Sequence, residues 1–123
     1  MPKCKVIIYK TEKGRVPVLN WLKRQNQEVQ NKGVDLAKRL KNEGQNLKMP
    51  YAKILRDGIH ELRINVQEVQ YRILYSFVGK AIVLLTNGTQ KEKEVPPEEI
   101  NKALNFKKKY LANPKKHTHE IYE

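Results

Sequence analysis

Arg63 and Arg72 flank a short turn-prone segment, and each sits in a run rich in β-branched and aromatic residues. Ile59 to Asn65 and Val69 to Phe77 alternate with a period close to two, the pattern of half-buried strands. With Gln67-Glu68 as the tip of a hairpin, Val66 pairs with Val69 and Arg63 lies directly opposite Arg72. Opposed side chains in an antiparallel pair point to the same face. Two like charges so placed cost roughly 0.2–1 kcal/mol. A phosphate between them would turn that cost into attraction. A plainer reading has Glu61 neutralising the pair on a solvated face.

The remaining chemistry-bearing residues narrow the reaction. His60, His117 and His119 have no Cys or carboxylate partners at ligand spacing, so no metal site is expected. His60 reads as a partly buried histidine. No Gly-rich phosphate loop, serine nucleophile elbow or carboxylate dyad occurs, and no cofactor is expected. Glu98-Glu99 fits helix capping better than acid–base work. Arginine, lysine and tyrosine remain. Such a set can support metal-independent RNA cleavage, in which a ribose 2′-OH attacks the adjacent phosphate. Arginines would stabilise the charge developing on phosphorus-bound oxygens, and a lysine with a lowered pKa could move protons. DNA has no 2′-OH, so this chemistry selects RNA without reading bases.

The elements that must position these residues follow from the same patterning. Lys3 to Tyr9 reads as a strand, followed by a helix that opens at Pro17 and buries Val18, Leu19 and Leu22, with Trp21 beside them. A break near Asn31-Lys32-Gly33 introduces a second helical stretch with Val34, Leu36, Ala37 and Leu40 inward, or else one bent helix covers both. Asn46 to Pro50 reads as a loop. After the hairpin, Ala81 to Thr86 is an apolar strand without alternation, as for a strand covered on both faces. Asn87-Gly88 signals a turn, and Pro96-Pro97-Glu98-Glu99 starts a last helix with Ile100, Ala103, Leu104, Tyr110 and Leu111 on its apolar face. Tyr71 and Tyr75 project to the core side of the hairpin. The expectation is a small α+β domain: a mostly antiparallel sheet with two N-terminal helices and a C-terminal helix. Residues 1–112 form the domain and 113–123 a basic C-terminal tail.

Composition sets the class of partner. The 123 residues suffice for one modest core. Lys and Arg number 25 against 13 acidic residues, a formal charge of +12. That points to nucleic acid first, because the basic residues are spread over several elements. Lys93, Lys107, Lys108, Lys109, Lys115 and Lys116 read as charge that attracts RNA or a ribosome, or simply as solubilising charge. Lys23-Arg24 and Lys38-Arg39 read as outer helix faces. The single Cys4 excludes an intramolecular disulfide framework. With no signal-like or membrane-spanning apolar run, a cytoplasmic protein without membrane contact is expected.

Several short motifs in this order resemble the RelE/HigB superfamily of toxins, and most closely its phage-derived HigB-like branch. They are Leu47 to Leu55, Gly58-Ile59-His60-Glu61-Leu62-Arg63, Tyr71 to Phe77, Ile82 to Leu85, and Pro96-Pro97-Glu98-Glu99-Ile100 with Ala103. The resemblance runs from about Lys3 to Tyr110. It implies a microbial-ribonuclease-like fold and cleavage of mRNA in the ribosomal A site. It also implies neutralisation by a cognate HigA-like helix-turn-helix antitoxin. Residue by residue, Arg63 and Arg72 match the family's phosphate-facing arginines and Lys53 a basic position before the Glu-Leu-Arg strand. Lys91 matches one lysine of a Phe-x-Lys-Lys segment, from which this chain departs by having no Phe and one aligned Lys. The resemblance thus gives Arg63 and Arg72 transition-state stabilisation and Lys53 or Lys91 proton transfer. Two alternatives stand beside it: a non-catalytic ParE-like toxin that binds a protein such as DNA gyrase, and a basic RNA- or ribosome-binding module without toxicity.

Overall fold

A computed structural model describes residues 3–90 and 93–119. Its six strands form one sheet in the order β2-β3-β4-β5-β1-β6. They are β1 (Lys5–Tyr9), β2 (Ala52–Arg56), β3 (Ile59–Val66), β4 (Val69–Val78), β5 (Ile82–Gln90) and β6 (Thr118–His119). All neighbours are antiparallel except β1 and β5, which run parallel. Helices α1 (Pro17–Lys23) and α2 (Gln27–Glu43) cover one face, and α3 (Pro97–Ala112) covers the other. This is the expected small α+β domain, and it is consistent with a RelE-like fold.

Pro17 opens α1, which buries Val18 and Trp21. The chain breaks at residues 24–26, where Asn26 caps α2 by accepting a 3.0 Å bond from the Val29 amide. The break expected at Gly33 is therefore misplaced. Gly33 lies inside α2 and is buried with Val29, Leu36 and Leu40. A Cβ there would stand 3.3 Å from Ile64 Cδ1 and 3.5 Å from Leu22 Cδ1, so glycine allows the helix backbone close to the sheet. Val34, expected inward, is exposed.

The hairpin register is the one expected, with Val66 opposite Val69 and Arg63 opposite Arg72. Its two-residue turn holds Gln67 at φ 51° and Glu68 at φ 68°, both in the left-handed region. Leu62, Ile64, Ile73 and Tyr75 lie in the core under α1 and α2, and partly buried Tyr71 packs against it.

Asn87-Gly88, expected to turn, continues β5 beyond an irregularity in its pairing with β4. Each residue meets a helix there, Gly88 on the α1 side of the sheet and Asn87 at the start of α3. Gly88 leaves room for the Trp21 indole, which a Cβ would overlap. Asn87 Nδ2 donates to the Glu99 carbonyl and carboxylate at 3.2 and 3.1 Å, pinning the start of α3. Ile100 and Ala103 then pack on Ile59 and Leu74, and Tyr110 packs with Ile7, Tyr9 and Leu84. Leu111, expected on this apolar face, is exposed.

Of the segment expected as a basic tail, residues 114–119 are folded onto the sheet. A short helical turn, Pro114–His117, leads into β6 on the free edge of β1. His117 is buried, stacks on Tyr9 at 5.2 Å and meets the Lys10 carbonyl through Nδ1 at 2.8 Å.

Candidate active site

Glu61 sits between the two arginines. Its Oε2 is 3.3 Å from Arg72 Nε and 3.3 Å from Arg63 Nε. Strand pairing places these side chains on the α3 face, because Glu61 opposes Leu74 and Arg63 opposes Arg72. The face is not the solvated one of the plainer sequence reading. Glu61 and Arg72 are each 3 % exposed, since α3 and the chain leading into it lie over this part of the sheet. Arg72 Nη2 also donates to the Lys93 carbonyl at 2.6 Å. Buried charges require paired and hydrogen-bonded surroundings, and Glu61 with the Lys93 carbonyl provides them for Arg72.

Arg63 differs from Arg72 in access. Its side chain is 23 % exposed, and Nη1 donates to Met49 Sδ at 3.2 Å. The two arginines are therefore inequivalent: Arg72 is enclosed, and Arg63 can reach a ligand. Lys53, opposite Glu61 on β2, is exposed on the same face and forms no ion pair among the described residues. Lys91 lies outside the described residues.

The other basic residues are spread apart. Lys93 meets the site through its backbone, while its side chain is exposed. Lys107 Nζ lies beside Gly58, and its charge joins burial in lowering the His60 pKa, with burial the larger cause. Lys108, Lys109, Lys115 and Lys116 are exposed, and Lys116 pairs loosely with Glu12 at 3.7 Å. Three strands separate the β6 edge, next to Lys115 and Lys116, from Arg63 on β3. The structure does not bring these two lysines to the arginine pair.

His60 is half-buried, stacked on Tyr75 at 5.0 Å and edge-on to Phe77 at 5.2 Å. Burial raises the Tyr75 pKa well above the usual tyrosine value. Both residues are packing groups. Among the described residues, no three His, Cys, Asp or Glu side chains are grouped to hold a metal ion.

A second feature, to which no sequence motif points, lies beside Arg63. A cleft of about 480 Å³ between α2 and β3 is lined by Lys32, Asp35, Arg39, Tyr51, Arg63 and Gln70, among others. The signal for it was the spacing of Lys32, Asp35 and Arg39, which lines them up along one stripe of α2.

The sequence model of the family described as Phage derived protein Gp49-like matches residues 20–108. The chain belongs to this family. The Gp49-like match takes in Lys53, Glu61, Arg63 and Arg72 together with both helical layers, and it excludes Lys115 and Lys116. No curated protein was found to match the chain. Among the described residues, no helix is long and apolar enough to cross a membrane.

Proposed function

We propose that this protein is the toxin of a type II toxin–antitoxin pair and that it arrests translation by cleaving ribosome-bound mRNA. The observation that carries the reading is the Glu61-centred pair of arginines beside exposed Lys53. In this reading Arg63 faces the scissile phosphate. Arg72 acts through Glu61: it holds the carboxylate that in turn aims the Arg63 guanidinium. The ribose 2′-OH attacks the neighbouring phosphorus and gives its proton to water. The bond to the 5′-oxygen breaks, and that oxygen leaves as a hydroxyl after taking a proton from the Lys53 ammonium, the proton-handling group of this reading. The products are a 2′,3′-cyclic phosphate and a 5′-OH end. Arg63 stabilises the negative charge that grows on the phosphoryl oxygens. A HigA-like helix-turn-helix antitoxin is the partner implied by the resemblance to RelE/HigB toxins, and membership of the phage-derived Gp49-like family supports a toxin.

A second reading is favoured by one observation. Arg72 is 3 % exposed, as in a purely structural ion pair. A ParE-like toxin that binds a protein target would need no accessible arginine pair. Induced expression separates the two. The nuclease reading expects growth arrest that Arg63→Ala relieves while the protein stays folded and soluble. Arrest that persists undiminished in folded Arg63→Ala contradicts it.

A further inference from the structure

The cleft between α2 and β3 has one flat wall, an enclosed side-chain oxygen and a lining that includes three basic residues and one acidic one. Arg39 Cζ stands 4.2 Å over the Tyr51 ring, so the guanidinium covers one face of the phenol and the two form a stack that a further flat group can extend. The Glu43 carboxylate, 2.8 Å from Arg39 Nε, fixes the guanidinium in that position. Tyr51 is 40 % exposed, so part of the ring is open to solvent. Gln70 Oε1 is enclosed and accepts no hydrogen bond among the described residues. Arg63 closes the cleft toward the Glu61 cluster; Lys32, Arg39 and Arg63 line it with Asp35, and each of the three also meets a carboxylate, Glu28, Glu43 and Glu61 respectively.

These features match the parts of one unpaired nucleotide. Bases stack on aromatic rings and on guanidinium planes, whatever their sequence. A side-chain amide can pair with the polar edge of a base. The phosphate would meet Arg63. The volume falls in the range of small-ligand sites. We propose that this cleft receives a single splayed-out nucleotide of an RNA strand, with its base against the Tyr51–Arg39 wall, its polar edge on Gln70 and its phosphate on Arg63. The inference rests on the RNA-directed reading above and adds a site that positions the strand beside Lys53 and Arg63.

The test is fluorescence anisotropy with a labelled 2′-O-methyl RNA octamer, which lacks the attacking hydroxyl and cannot be cut. Tyr51→Ala is expected to weaken binding at least about fivefold, the lower range for one lost stack. Tyr51→Trp is expected to restore it. Gln70→Leu is expected to reduce the differences in affinity among octamers of A, C, G and U. All three variants are first matched to wild type by circular dichroism and melting temperature. Folded Tyr51→Ala that binds the octamer as wild type does overturns the proposal. So does a wild-type protein that binds no octamer, or one in which Tyr51→Ala releases poly-glutamate instead. Cleavage is read separately. If wild type never cuts mRNA but Tyr51→Ala still loses the octamer, the nuclease reading fails and the cleft stands.

Discussion

Replacing Glu61 by alanine would strip two guanidinium groups of the carboxylate they share, and one of them, Arg72, has almost no access to water. Removing one partner of a buried pair costs about 3–5 kcal/mol, because the remaining charge stays desolvated. Urea unfolding of Glu61→Ala is expected to show a loss of that size. Arg63→Ala, at a half-open position, is expected to lose much less stability while abolishing cleavage. His60 makes a different prediction. Its folded pKa is below the usual value, chiefly through burial and also through Lys107. Between that lowered pKa and about 6.5, the unfolded chain binds the proton that the folded chain refuses. Stability is therefore full above about pH 6.5 and falls as the pH drops below it. Melting curves of His60→Phe are expected to lose part of that acid sensitivity; an unchanged pH profile would contradict the assignment.

At the scale of elements, the hairpin was legible because its alternation and two-residue tip leave one register that keeps the apolar side chains together. Its turn is strained, since Gln67 and Glu68 both hold positive φ, and left-handed backbone costs non-glycine residues about 1–2 kcal/mol each. Gln67→Asn with Glu68→Gly is expected to raise stability by roughly 1 kcal/mol in chemical denaturation. What local pattern could not show is what each face meets. Arg72 looks like a surface residue until α3 is placed over it, and that placement depends on Asn87 and Glu99 meeting across the fold. Gly88 looks like a turn residue until Trp21 is seen above it. Gly88→Ala forces the indole to move and is expected to cost about 1–3 kcal/mol, the range for overpacked cores. β2 and β6 were missed because each is short and lies at an edge, where pairing more than sequence pattern defines the strand.

The whole molecule carries a charge of +12, and on the nuclease reading that charge would attract RNA without choosing where it is cut. Lys115 and Lys116 lie three strands from β3, so they can add to attraction and to salt dependence without entering the site. A single strand that contacts four phosphates would give a slope of log affinity against log salt of about −3. The family match likewise includes Lys53, Glu61, Arg63 and Arg72 and leaves the terminal lysines aside. On the nuclease reading, the face bearing Arg63 cuts mRNA during translation. Primer extension on cellular mRNA after brief induction of wild type and of Arg63→Ala tests it most directly. The expected result is new 5′ ends inside reading frames that need ongoing translation and are absent from the variant. Growth arrest without any such ends, or ends that persist in folded Arg63→Ala, would contradict it.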